Sequence, residues 1–171
     1  MRFFLLFFFS TLTLFAHFIT LHSFAADFTQ TITDEQNKKL IYTGSLQAKE
    51  PQSALWLYKT PVKKSIYIKE NRVIVIEPEL EQAIVKHIPT HFDFFHMIQN
   101  AKKIKKDTYI TTLEEKTYTI TLSHGLVKAL DYKDDFGNSI NILFSHQLQN
   151  KEINDTLFKP IIPSEYDILQ N

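Results

Sequence analysis

Apolar and polar residues trade places one for one through most of this chain, and that period of two is what most restricts its fold. Thr117-Tyr118-Thr119-Ile120-Thr121-Leu122 and Ser139-Ile140-Asn141-Ile142 show it plainly. Such a segment is a strand with one greasy face and one wet face. With β-branched and aromatic enrichment as the second criterion, the pattern predicts strands over residues 24–33, 40–49, 54–58, 65–69, 72–77, 81–87, 108–113, 117–123, 127–132 and 139–147. The links are short and polar: Asp34 to Lys38, Glu70-Asn71, Glu114-Glu115, His124-Gly125 and Asp134 to Asn138. They suit a meander of antiparallel hairpins. So many strands curl, split or close. Only three glycines are present (Gly44, Gly125, Gly137), which limits sharp kinking and favours a partly open barrel over a tightly closed one.

One helix interrupts the pattern, over residues 91–104. Phe92, Phe95, Met97, Ile98 and Ala101 form an apolar stripe against Asp93, Gln99 and Asn100. Pro89 and Thr90 mark its start, and Lys102-Lys103 would sit in its last turn, where the helix dipole favours them. It is expected to cover the apolar face of the sheet. The tail from Leu157 to Asp167 carries Pro160 and Pro163, which exclude a regular helix or a central strand and leave an extended strap. No cysteine occurs anywhere, so stability rests on packing.

The chain opens Met1-Arg2, then Phe3-Phe4-Leu5-Leu6-Phe7-Phe8-Phe9, with no acidic residue before Asp27. A short basic start and an apolar run make an export signal. Polar Ser10, Thr11, Thr13, His17, Thr20 and His22 dilute the stretch and rank a membrane anchor second. Two cuts compete, after Ala16 and after Ala25. The expected division is a signal peptide over residues 1–16 and one domain over residues 17–171. Removing Arg2 leaves one basic residue fewer than the 19 acidic ones. Neither a nucleic-acid partner nor an anionic membrane is implied.

Ser23-Phe24-Ala25-Ala26-Asp27-Phe28-Thr29-Gln30, Gly44-Ser45-Leu46, Ala54-Leu55-Trp56-Leu57-Tyr58 and Pro78-Glu79-Leu80-Glu81-Gln82 follow one another in an order that resembles the LolA-type periplasmic lipoprotein carriers. The likeness runs from about Ser23 to Asp167, and it is the first segment that places the cut after Ala16, because a cut after Ala25 would halve it. The resemblance implies a mainly β (α+β) fold, an incomplete antiparallel β-barrel with a helical lid over a hydrophobic cavity. It implies a periplasmic chaperone that takes the acyl chains of lipoproteins from the inner membrane to the outer membrane. The alternative is a lipid- or lipoprotein-sensing module of the same fold in envelope stress signalling.

On that resemblance the cavity lining is expected from Phe28, Leu46, Trp56, Tyr58, Ile74, Ile76, Phe92, Phe95 and Ile98. Periodicity alone would make them ordinary core. Lys102, Lys103, Lys105 and Lys106 are the expected docking surface for an inner-membrane lipoprotein-releasing ABC transporter complex. The other implied partners are acylated lipoproteins and an outer-membrane acceptor, with the chain itself a monomer. The missing acceptor cysteine excludes a lipid-anchored, LolB-like role. Two positions depart from the family pattern: Glu50 stands where a basic residue usually precedes the proline, and Ala54 where a bulky aromatic usually precedes the tryptophan by two.

Enzymatic chemistry finds no foothold. His87, His91 and His96 lack a common face and a fourth ligand for zinc, and read as surface histidines. Glu79 and Glu81 flank a leucine at a turn and read as turn acids, not an acid–base pair. Asp134-Asp135 is a solvated hairpin tip. No nucleophile elbow, phosphate loop or metalloprotease helix is present, and no cofactor is expected.

Overall fold

Each of the ten alternating segments becomes a strand, most with ends within two residues of those expected. The computed structural model describes residues 20–87 and 94–170. The strands are β1 (Ser23–Thr33), β2 (Lys39–Lys49), β3 (Ser53–Thr60), β4 (Lys64–Lys69), β5 (Arg72–Glu77), β6 (Gln82–His87), β7 (Lys102–Lys105), β8 (Thr108–Leu113), β9 (Lys116–Ser123), β10 (Leu126–Lys133), β11 (Ser139–Gln149) and β12 (Asp167–Gln170). Among the described residues one α-helix, α1 (Phe94–Gln99), lies between β6 and β7.

All twelve strands belong to one sheet that does not close on itself, in the order β12-β6-β5-β4-β3-β2-β1-β11-β10-β9-β8-β7. Two meanders meet at its centre, where β1 pairs antiparallel with β11 and Phe28 stands opposite Phe144. The order imposes a crossing: from β6 near one edge the chain must reach β7 at the other. The helix is on that crossing, and its apolar residues pack with the inner face of the sheet. Phe24, Phe28, Leu46, Ile120, Ile142 and Phe144 from the sheet join Phe95, Met97 and Ile98 from α1 in one buried cluster.

The outer face is covered by the chain after β11. A single 3-10 turn (Asp155–Phe158), capped by the Asn154 side chain on the Thr156 N–H, sets Phe158 and Ile153 against Leu55. Further on, Ile162 and Tyr166 pack on Ile74, Ile76 and Ala83. Pro160 and Pro163 lie in this irregular strap, as expected.

Two expectations are corrected. The helix ends at Gln99 instead of reaching Ile104. The Asn100 side chain folds back onto the His96 carbonyl at 2.7 Å, and Ala101 N–H reaches Ile98 O in a tightened last turn. Lys102 and Lys103 therefore begin an edge strand, opposite Ile110 and Tyr109, and do not cap a helix. Past the strap, where no element was expected, Asp167–Gln170 adds to β6 in a parallel pairing, pinned by Asp167 N–H to the Glu81 carbonyl at 2.9 Å. Strand β6 starts at Gln82 because Glu81 takes a left-handed conformation, φ 49°, after the Pro78–Leu80 turn. Pro89, Thr90, His91, Phe92 and Asp93, with the signal cut after Ala16, lie outside the described residues. Among the described residues no helix is long and apolar enough to cross a membrane.

Gly44 fixes how β1, β2 and β3 meet. A Cβ there would strike the Leu57 carbonyl oxygen and come within 2.7 Å of the Phe28 ring, at the register shift between β2 and β3. Backbone cannot yield cheaply, so Gly44→Ala is expected to destabilise the fold by about 1–3 kcal/mol. Urea unfolding followed by Trp56 fluorescence measures it, because Trp56 sits 5.1 Å from Phe28; an unchanged midpoint would refute the packing argument.

Candidate functional site

Between the inner face and α1 lies a cavity of about 230 Å³. Its floor is built in cross-strand rows: Leu46 opposite Trp56 and Trp56 opposite Ile66, then Ala48 opposite Ala54 and Ala54 opposite Ile68. The other half of the sheet supplies Leu113, Tyr118, Leu130, Tyr132 and Ile142. Phe94, Phe95 and Met97 of α1 form the roof. The helix can do this because Phe95, Met97 and Ile98 are buried while His96 and Gln99 face water.

Four of the residues expected at the lining are there: Leu46, Trp56, Tyr58 and Phe95. Phe28 stands behind them, 2% exposed, its ring edge-to-face with Trp56 and with Tyr58 at 5.1 and 5.0 Å. It shapes the wall without lining it. Ile98 is buried in the same cluster on α1 but does not reach the cavity. Ile74 and Ile76 are on the wrong face, packed under the tail strap. Tyr67 opposes Ile74, so it is Val73 and Val75, opposite Ile68 and Ile66, that share the inner face. An unbroken run of four apolar residues carries no phase of its own. Phe92 lies outside the described residues.

Sequence reasoning missed the half of the wall from β8 to β11 and the small residues Ala48 and Ala54. The signal was available for the first: Leu130 and Tyr132 alternate in register with Ile142 and Ile140. For the second, the Ala54 departure now has a consequence, since a bulky side chain there would occupy the cavity floor.

The lid is fastened at its C-terminal end by the other departure. Gln99 Nε2 donates to Glu50 Oε1 at 2.8 Å, and Glu50 Oε2 lies 2.7 Å from His22 Nδ1. A carboxylate at position 50 thus accepts from the helix and from the segment leading into β1. The lysines Lys102, Lys103 and Lys105 are all exposed on edge strand β7, with Lys106 in the turn after it. Such a charged edge resists chance strand pairing.

His87 closes β6 and His96 faces outward from α1, both exposed. Glu79 and Glu81 are exposed in the turn before β6. Among the described residues no cluster of three or more His, Cys, Asp or Glu could hold a metal ion. Polar side chains also reach the lining, Gln52 and Ser53 at the start of β3 and Gln30 on β1; Gln30 is 8% exposed, and its Oε1 accepts from the Tyr58 hydroxyl at 2.8 Å.

Residues 20–161 match the family model described as outer membrane lipoprotein carrier protein LolA. The chain belongs to the LolA family. Its relatives named outer-membrane lipoprotein carrier protein include one from Campylobacter jejuni, 36% identical over 98% of both chains. Another, from Helicobacter pylori strain J99, is 38% identical over 81% of this chain and 74% of its own. A third, from Wolinella succinogenes, is 34% identical over 91% of each. Among solved structures, a LolA-superfamily protein from Nitrosomonas europaea has a TM-score of 0.50 at 9% identity, covering 82% of this chain and 91% of that one. An uncharacterized conserved protein from Thermus thermophilus has a TM-score of 0.55 at 8% identity, covering 89% and 92%. These two share the fold.

Burial holds the cavity tyrosines in their neutral form. Tyr132 is pushed up to about 12. Tyr58 is raised further, by burial first and then by the nearby Tyr132 and Tyr42, and burial also raises Tyr118. In the unfolded chain they ionise near pH 10, so their contribution to stability is complete below pH 10 and is lost as pH rises through about 12. The urea midpoint of this LolA-family protein is expected to fall across that range, in step with late tyrosinate absorbance. Tyr132→Phe is expected to flatten the fall; a midpoint insensitive to pH would contradict the burial.

Proposed function

We propose that this protein carries lipoproteins through the periplasm by enclosing their acyl chains between the sheet and α1. The observation behind this reading is the apolar cavity under a lid whose contacts are the same kind that acyl chains make. Family membership supplies the cargo. The exported form begins at His17, a proposal supported by Leu21 and Phe24, both fully buried, and by the pairing of Ser23–Ala25 with β2, which a cut after Ala25 would remove. N-terminal sequencing checks it, Ala26 being the opposing result.

The magnitudes suit a reversible carrier. A cavity of about 230 Å³ is below the usual range for ligand pockets, roughly 300–1,000 Å³, so cargo enters only as α1 moves out. Exposing Phe95, Met97 and Ile98 costs roughly 1.5–3 kcal/mol each, and each acyl methylene buried returns about 0.8 kcal/mol. Roughly six to eleven methylenes balance the lid. One long chain therefore holds it open, and loss of the chain closes it. The Gln99–Glu50 hydrogen bond adds a modest closing bias, roughly 1.5–3 kcal/mol at most for a charged acceptor. Handover in this chain would begin with release of a carboxylate, where the family's usual side chain is basic.

Incubating the purified exported form with spheroplasts is expected to release a lipoprotein as a soluble one-to-one complex, read by gel filtration and blotting. Leu46→Glu, which sets a charge on the cavity floor, is expected to abolish release while circular dichroism still reports a folded sheet. Lys102→Glu with Lys103→Glu, on the exposed edge strand, is expected to keep cavity binding and weaken release, consistent with docking on the inner-membrane releasing complex. Absence of release by the folded wild type would overturn the carrier reading; unaltered release by the lysine variant would remove the docking surface alone.

A further inference from the structure

Gln30 is an odd residue to bury under a greasy lid. It is 8% exposed, on the inner face of central strand β1 between Phe28 and Ile32, and among the cavity-lining residues. Its neighbours across the sheet are Tyr42 on β2 and Ile142 on β11. Its carboxamide meets the Tyr58 hydroxyl at 2.8 Å. An amide and a phenol together hold three donor hydrogens, and their mutual bond uses one whichever way the amide is turned. The pair therefore brings donor hydrogens to a cavity whose walls are otherwise mostly Leu, Ile, Ala and aromatic side chains, with Gln52 and Ser53 the other short polar residues of its lining. Tyr58 is also held from outside: its ring packs on Phe28 and Tyr42 at 5.0 and 5.6 Å, and Lys64 Nζ sits 4.6 Å from its centroid. The pair is positioned, and it presents donor hydrogens at the cavity wall.

We propose that Gln30 and Tyr58 form a carbonyl-binding subsite, which takes the ester or amide carbonyl at the head of an acyl chain while the methylenes run along the apolar rows. This inference rests on the carrier reading of the same cavity. Its chemistry is plain hydrogen bonding: a carbonyl oxygen accepts from the Gln30 amide N–H while the Tyr58 hydroxyl, donating to Gln30 Oε1, holds that amide in place, and nothing is made or broken covalently. A subsite of this kind sets the depth at which a chain stops. It also separates acylated cargo from other apolar ligands, because an alkane offers the donors no acceptor and an ether oxygen only a weaker one than a carbonyl.

The test compares two ligands that differ at one group. Palmitoyl lysophosphatidylcholine carries an ester carbonyl, and its hexadecyl ether analogue does not. Binding below micelle formation is read from the fluorescence of Trp56, the protein's single tryptophan, which lines the cavity. The ester is expected to bind about five- to tenfold more tightly than the ether, the worth of one net hydrogen bond. Gln30→Leu combined with Tyr58→Phe is expected to bring that ratio to about one. Equal affinities in the wild type would overturn the subsite and leave the carrier reading standing. A ratio kept by the double variant would overturn it too. Binding of neither ligand by folded wild type would count against the cavity as a lipid site altogether.

Discussion

An apolar sheet face that no second sheet covers is the constraint on which this molecule is organised. Twelve strands that closed fully would fill or seal their interior, and two packed sheets would consume it as core. This sheet does neither, so its inner face must be covered by whatever the chain can bring to it. The strand order settles what that is. Because β6 and β7 lie at opposite flanks of the sheet, the connection between them must cross, and its apolar residues Phe95, Met97 and Ile98 bury themselves under the sheet's aromatics. A lid is thus a topological consequence of the strand order, and its grip is no stronger than three or four side chains allow. That modest grip is what makes displacement by hydrocarbon feasible.

The strands were legible because a half-buried strand writes its burial into alternate positions. What was not legible follows from the same rule. Lys102–Lys105 buries nothing on either side of the edge it forms, so it left no alternation, and its lysines read equally well as a helix end. Asp167–Gln170 is four exposed residues held by backbone bonds to β6, which no side-chain pattern announces. In Val73-Ile74-Val75-Ile76 both faces of the strand are apolar because one meets the inner face and the other the tail strap. The run therefore identified a strand but not which residues point inward, and Ile74 and Ile76 were assigned to the wrong side.

The candidate site was legible to the same degree. Leu46, Trp56 and Tyr58 came through because resemblance and alternation agreed at those positions, and Phe95 because it belongs to the apolar stripe of the helix. Phe28 lies one layer back, a distinction that depends on side-chain reach beyond strand phase. The contributions of β8 to β11 depend on where the second meander joins the first, a long-range fact that no local window holds. Gln30 was visible as a polar strand residue closing the first segment of the resemblance, and its placement inside an apolar cavity emerges from the partners around it.

Glu50 and Ala54 show how a family pattern can be altered without loss of the architecture it serves. Ala54 removes bulk from the cavity floor next to Ala48, which leaves room that the lid helix and cargo must contest. Glu50 reverses the charge at the point where α1 is tied down, yet the tie persists because Gln99 is a donor and a carboxylate is an acceptor. A side chain in α1 that matches the residue at position 50 is what the latch requires, more than a particular charge. The pair is therefore expected to behave as one unit: exchanging either half alone leaves the other to water and undoes the latch, and the balance between closed and loaded forms moves with it.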